Sequence, residues 1–476
     1  MDHSQVAPPD PPVPVKRESL QTVSDASNPE DVEKLDTNGS TAATNYGVVV
    51  DVFADEDHAQ IHYKTMGWWN VALLMLAETI SLGVLSLPTA LATLGLVPGL
   101  FLIFFLGVLA TYTGYVIGQF KIAYPGVKDM ADAGFILGGK IGRELLGAGQ
   151  VIVLVFIMAA HITSFSIMMN VVAGHKTCSI VFGFVGFVVS LGLGLFRTLH
   201  KVSYLSVVSC ISVVVAVLVA MIAVARSPPN VGAVKLVEKT TLAKGMIAVL
   251  NILISYAGHV AYFGFTAELK NPKDFPKALV FLNSVSTSFY LVVATVIYYF
   301  AGPGVPAPAL SAAGPLARKI AYGLATPTIV IAGVVNGSVA CKYIYVRYWS
   351  GTNVIHQKSF KSLGSWFLIC LILWALAFLL AEAIPSFSQL LALVTALFCG
   401  WFSYGLTGLF WLSINRGRYL ENWRKMSLTV LNVAIFCLGC VICGLGLYAS
   451  GTAIKNGDTG SPFSCADNAL TVNSGQ

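Results

Sequence analysis

The chain has 476 residues, 56% of them hydrophobic and only 11% charged, against a charged share of about 25% in ordinary soluble domains. That balance excludes a soluble globular fold and points to a polytopic membrane protein. The net charge of +6 would suit nucleic acid only if it were concentrated, and its dispersal among loops argues against such a partner.

Residues 1–63 read as a disordered, cytosolic N-terminal tail. Met1–Asp57 is rich in Pro, Ser, Asp and Glu, with a Pro cluster from Pro8 to Pro14 and too few large apolar residues to fold alone. It lacks the apolar core of a signal peptide, so the spans themselves direct insertion. Its Ser and Lys residues are candidate sites for phosphate or ubiquitin, and hence for regulatory partners.

Met66–Gly95 is long enough to cross a bilayer, yet it carries Glu78 and a Gly-Pro interruption. At ~1.5 Å per residue from Trp68, Glu78 lies ~15 Å in, near the middle of a hydrocarbon core about 30 Å thick. An acid there costs about 2.5–3.5 kcal/mol on insertion scales, so it faces protein, water or a proton. Beyond it, Gly83 weakens the helix and Pro88 lacks the N–H that would serve the Val84 carbonyl. Freed amides at that depth need a cavity or a ligand.

Eleven apolar stretches of spanning length follow one another: 66–92, 97–120, 144–172, 178–197, 202–225, 244–268, 276–301, 316–346, 363–383, 387–412 and 427–450. Together they make a membrane domain over 64–451, followed by an exterior tail, 452–476. The eighth is longer than a bilayer needs and is expected to tilt or project. With the N-terminus inside, eighteen basic residues fall in inner loops and eight outside, which favours a cytosolic N-terminus and exterior C-terminus. Cys178 and Cys465 then share a disulfide-permissive side and can bridge. The other seven cysteines lie in spans as packing residues.

The sixth stretch, Gly245–Leu269, is broken like the first, at Ser255-Tyr256-Ala257-Gly258-His259. Five spans separate the two breaks, and an odd offset inverts the second copy. Spans one to five and six to ten therefore read as an inverted repeat with the eleventh appended, and paired interrupted spans mark a transporter's substrate site. His259 falls in the break and is a proton-coupling candidate. His161, in the third span, reads as a relay or as a histidine bonded between helices. Glu268 and Glu382 lie near span ends and read as structural or gating residues.

Tyr63-Lys64-Thr65-Met66 with Trp68-Trp69, then Ala77-Glu78-Thr79-Ile80-Ser81-Leu82-Gly83-Val84-Leu85-Ser86-Leu87-Pro88, resembles the opening of the amino acid/auxin permease family. The similarity is nearest to the fungal N-system, or methyltryptophan-resistance, branch of neutral amino-acid permeases. It runs from about Val52 through the eleventh span. The resemblance implies an all-α, leucine-transporter-like fold and amino-acid uptake coupled to protons, or less often to sodium. It also implies that the substrate carboxylate meets the amides of Ser81, Leu82, Gly83 and Val84, and its ammonium the carbonyls of Tyr256, Ala257 and Gly258. The family's cation position would fall near Thr79 and within 332–338.

Half-helix ends suit a zwitterion, replacing its water without permanent membrane charges. Tyr256, Phe263, Phe265, Phe156 and Met158 are candidates for the side-chain end or for ordinary packing. Rival functions fit less well. Gly134–Ile141 has P-loop spacing but ends in Ile141 where Ser or Thr should hold magnesium, and no catalytic motif lies in a span. The expectation is therefore a secondary transporter, not an enzyme, importing neutral aliphatic or aromatic amino acids with protons at the plasma membrane and using no further cofactor. Glu78 is the leading coupling group, beside His259 and His161. A vacuolar transporter of the same family and a transporter-like nutrient receptor are the alternatives.

Overall fold

The computed structural model describes residues 66–196, 199–228, 233–349, 359–456 and 461–469. The expected N-terminal tail lies outside the described residues. Among the described residues, ten helical stretches are long and apolar enough to cross a membrane, and an eleventh, Ser179–Gly194, is apolar but shorter. The protein is a multi-pass, all-helical membrane protein.

The first span consists of α1 (Trp68–Thr79), a 3₁₀ segment (Leu82–Ser86) and α2 (Leu87–Leu94). The rupture lies upstream of the expected Gly-Pro site, at Ile80 (φ −79°, ψ 81°) and Ser81 (φ −132°, ψ −130°), which leave the helical region. Pro88 instead opens α2, where a missing N–H costs little. The Val84 carbonyl is taken by the N–H of Leu87.

The second span is α3 (Leu96–Ala123), and the third is α4 (Met130–Ala173). α4 is longer than the stretch 144–172, because the loop before it is itself helical. Asp129 caps its start, accepting from the Asp132 N–H at 2.9 Å. Gly138 and Gly139 then kink it, Gly139 at φ +60°, and an Arg143–Asp132 ion pair (2.8 Å) ties the arm back across the kink. The Gly-rich P-loop look-alike is this kink.

α5 (Ser179–Gly194) and α6 (Leu199–Arg226) complete the first half. The second half opens on α7 (Leu242–Ile254) and α8 (His259–Ala267), separated by Ser255–Gly258. It continues through α9 (Phe275–Ala301), α10 (Pro315–Tyr348) and α11 (Phe360–Ala383). The tenth span joins α12 (Phe387–Val394) to α13 (Leu406–Ile414) through two π-helical segments, an irregularity the sequence reading did not anticipate. The eleventh span is α14 (Trp423–Lys455).

Packing follows the repeat. Spans five apart pack on one another: α3 on α9, α4 on α10, α5 on α11. Other contacts come as exchanged pairs, so that α4 with α11 matches α10 with α5, and α4 with α5 matches α10 with α11. This exchange is what a five-plus-five inverted repeat with broken first and sixth spans requires, and α14 is added outside it against α7, α12 and α13. Met66, just before α1, is pinned to the end of the sixth span, its N–H on the Glu268 carbonyl (3.1 Å) and its carbonyl accepting from the Lys270 N–H (3.0 Å).

Candidate functional site

The two breaks interlock at the centre of the bundle. A Cβ placed on Gly83 would lie 2.8 Å from Cα and Oγ of Ser255, so the first break rests directly on the second. Ser86 Oγ donates to the Gly83 carbonyl at 2.8 Å and lies 3.3 Å from the Asn251 carbonyl. On the opposite edge, a Cβ at Gly258 would meet Thr79 Oγ1 at 3.2 Å. Between them stands Tyr290 of α9, its hydroxyl 3.0 Å from the Thr79 carbonyl and 2.8 Å from the Ser255 carbonyl.

Not every expected backbone group is free to meet a ligand. The Ser81 N–H donates to the Thr79 carbonyl at 3.0 Å. Leu82 and Gly83 open the 3₁₀ segment, whose first N–H groups have no intrahelical acceptor, while Val84 lies further in. On the other side, the Tyr256 carbonyl accepts from the Gly258 N–H (3.0 Å) and the Gly258 carbonyl from the Ala261 N–H (3.1 Å). The geometry therefore concentrates the donors at Leu82 and Gly83, and leaves Ala257 as the expected carbonyl with no backbone donor among the described residues. The C-terminal ends of α1 and α7 add partial negative charge, and the starts of α2 and α8 partial positive charge. Gly83, Ala257, Gly258, Glu78 and Thr79 all keep partial exposure although each lies in mid-span.

The three proton-coupling candidates bond to different elements. Glu78 Oε1 accepts from Asn336 Nδ2 at 2.7 Å, and the same amide donates to the Ala332 carbonyl of its own helix at 2.9 Å. Asn336 lies within 332–338, so first and eighth spans do meet there. The hydroxyls of Thr79 and Ser338 are buried without a hydrogen-bond partner. His259 is fully buried at the start of α8, with Nε2 2.9 Å from Thr113 Oγ1 and 3.2 Å from the Ala110 carbonyl, and so points at α3. His161 Nδ1 lies 2.8 Å from the Ile329 carbonyl and joins the third span to the eighth. Among the described residues, no group of three His, Cys, Asp or Glu is placed to hold a metal ion.

The side chains offered for the substrate's apolar end or for packing all make packing contacts. The Tyr256 hydroxyl bonds the Ile103 carbonyl (2.9 Å) and Thr287 Oγ1 (3.2 Å), which turns the ring toward α3 and α9. Phe263 sits between Phe120 and Phe410, with centroids 6.1 and 5.8 Å away. Met158 is buried against Gly337 of α10, and the Phe156 ring lies tilted beside that of Phe398, centroids 6.4 Å apart. Phe265 is partly buried against the core. Glu382 is buried and its backbone carbonyl accepts from the Phe463 N–H at 3.0 Å. Just beyond α8, burial pushes the Glu268 carboxyl above its usual range while Lys342 pulls it back. The sequence reading missed Tyr290, because a Tyr in an apolar span looks like any packing aromatic.

Comparison with known proteins identifies the family. The family model described as transmembrane amino acid transporter protein matches residues 64–452. An N amino acid transport system protein of Neurospora crassa is 37% identical, over 87% of this chain and 90% of that one. A transmembrane transporter of Fusarium pseudograminearum is 28% identical over 89% and 91%, and one of Gibberella moniliformis 28% identical over 95% and 98%. Among solved structures, a Na⁺-coupled sialic acid symporter in a substrate-bound, outward-open state is similar at a TM-score of 0.49 and 12% identity, covering 84% of this chain and 92% of that one. With the family model covering all eleven spans and a relative above one-third identity along most of both chains, the chain belongs to the transmembrane amino acid transporter family, and is a transporter rather than an enzyme.

Proposed function

We propose that the protein imports neutral amino acids together with protons across the plasma membrane, with its N-terminus in the cytosol. The observation that carries the proton is the setting of Glu78. It sits in mid-span at the rim of the first break, partly exposed, and its hydrogen-bond partner is the neutral amide of Asn336. Among the described residues no cation pairs with it, whereas Asp132, Glu144, Glu238 and Asp274 each have one. An unpaired carboxylate at that depth is costly and a neutral carboxyl is not. Proton binding from one side therefore favours reorientation of the loaded protein, and release on the other resets it. The free Leu82 and Gly83 amides would receive the substrate carboxylate. The Ala257 carbonyl and the C-terminal end of α7 would face the ammonium. With no cluster of acids beside the breaks among the described residues, a neutral side chain fits best.

The test is uptake of labelled L-leucine and L-phenylalanine into transporter-deficient cells across external pH, with and without sodium and with an uncoupler. Wild-type accumulation should rise as external pH falls and collapse with the uncoupler. Glu78→Gln retains the acceptor for Asn336, so exchange of preloaded substrate should survive while uphill accumulation drops at least about tenfold. A variant that still concentrates substrate with the wild-type pH profile would make Glu78 a structural acid. Sodium-dependent uptake would instead pass the coupling role to the space around Thr79 and Ser338.

A further inference from the structure

The carbonyl of Thr79 closes α1 and that of Ser255 caps α7. Both are C-terminal helix ends, each carrying partial negative charge from carbonyls that the helix itself leaves unserved. Two such ends converging in a buried place repel each other, and something positive must sit between them. In this structure it is the hydroxyl of Tyr290, 3.0 Å from one carbonyl and 2.8 Å from the other. Tyr290 is fully buried on α9, its ring set edge-on to that of Tyr256 with centroids 5.3 Å apart. It belongs to neither broken span and makes no covalent link to them.

We infer that Tyr290 is a positioning residue for amino-acid transport, its hydroxyl clamping the carbonyl ends of the two broken spans so that the substrate-facing backbone groups stay in register. The hydroxyl has one proton and two acceptors, so it donates fully to only one of the two carbonyls at a time. The clamp is therefore strong enough to align the breaks but leaves acceptor capacity beside Ala257. Its loss takes the donor from the buried Ser255 carbonyl and leaves the two helix ends facing each other with nothing between them. The Thr79 carbonyl also receives the Ser81 N–H, so movement of that carbonyl carries the start of the donor segment with it. The effect should appear in recognition of the substrate rather than in folding, because the ring that fills the core is untouched.

Tyr290→Phe keeps the ring and deletes the hydroxyl. Thr295→Val, which deletes a hydroxyl on the same helix bonded only to the Leu291 carbonyl of its own helix, is the matched control. In uptake of labelled L-leucine, normalised to surface protein, Tyr290→Phe should raise KM at least about tenfold while the maximal rate falls less than about threefold, and Thr295→Val should match wild type. A merely structural role would lower the maximal rate and surface amount and leave KM unchanged. That result would overturn the proposal. If Tyr290→Phe does not reach the surface, the L-leucine concentration giving half-maximal thermal stabilisation of the detergent-solubilised protein reads the same quantity. A tenfold rise supports the clamp and an unchanged value refutes it. The inference rests on transport of amino acids, and wild-type uptake of L-leucine in the same cells tests that reading separately.

Discussion

A methyl group added at Gly83 would sit 2.8 Å from both Cα and Oγ of Ser255, closer than a Cβ approaches backbone without displacing it. Gly83→Ala should therefore prise the two breaks apart and cut uptake at least about tenfold, even though alanine is a better helix former. Gly192→Ala on α5 adds a methyl that meets nothing within 4 Å and should leave uptake unchanged. Normalised uptake of labelled L-leucine by the two variants decides this. Equal rates would mean that the contact between Gly83 and Ser255 is not needed in the transport cycle. The sequence singles out Gly83, but for a different reason. In a linear reading it is a gap for a substrate carboxylate, and only the fold reveals that its missing side chain faces the other break. Glu78 was legible because a carboxylate in an apolar run has no cheap bland explanation. Tyr290 was not, because its significance depends on which carbonyls other spans bring to it.

Helix breaks were readable where glycine, proline or small polar residues interrupt an apolar run, as in the first and sixth spans. They were misread where the interruption is itself helical on both sides. The arm before the third span looked like a loop, because Asp129, Asp132, Lys140 and Arg143 dilute its hydropathy. Yet Asp129 caps it and the Arg143–Asp132 pair closes it. The turn that allows this is asymmetric. Gly138 has φ −144° and Gly139 φ +60°, ψ −144°, and a Cβ on either would meet nothing within 4 Å. Sterics with neighbours are thus removed from the comparison, and only backbone conformation differs. Gly139→Ala should cost about 1–3 kcal/mol, the range for a non-glycine residue held in such a conformation, and Gly138→Ala markedly less. Thermal unfolding of the two purified variants measures the difference. Equal melting temperatures would mean that the arm does not hold this turn.

The spans form two bodies, and the end of the chain joins them. The first, second, sixth and seventh spans pack together through α1, α2, α3, α7, α8 and α9, while α4, α5, α10 and α11 make a second group. Rocking of one such group against the other is the usual basis of alternating access. α14 leans on α7, α12 and α13, but the segment after it, residues 461–469, attaches to the second group. Cys465 is bonded to Cys178 at the start of α5, a link closing 287 residues. Asn468 Oδ1 accepts from Asn170 Nδ2 at 2.7 Å and its Nδ2 donates to Ser166 Oγ at 3.1 Å, while the Ala466 carbonyl accepts from Ser179 Oγ at 2.6 Å. The bridge was foreseeable from topology, since both cysteines were expected on the exterior side. The polar socket that receives Asn468 was not, because Ser166, Asn170 and Ser179 come together only once α4 and α5 pack. Cys465→Ser should lower stability by the amount typical of a native disulfide, about 2–4 kcal/mol. Reductant should bring the melting temperature of the wild-type protein down to that of the variant and leave the variant unchanged. A wild-type protein indifferent to reductant would show that the bridge does not form. If it does form, that face lies in an oxidising compartment, and an odd number of crossings then sets the N-terminus on the opposite, cytosolic side. Accessibility of a tag at residue 30 in intact cells checks that orientation independently. A tag reachable from outside would refute it.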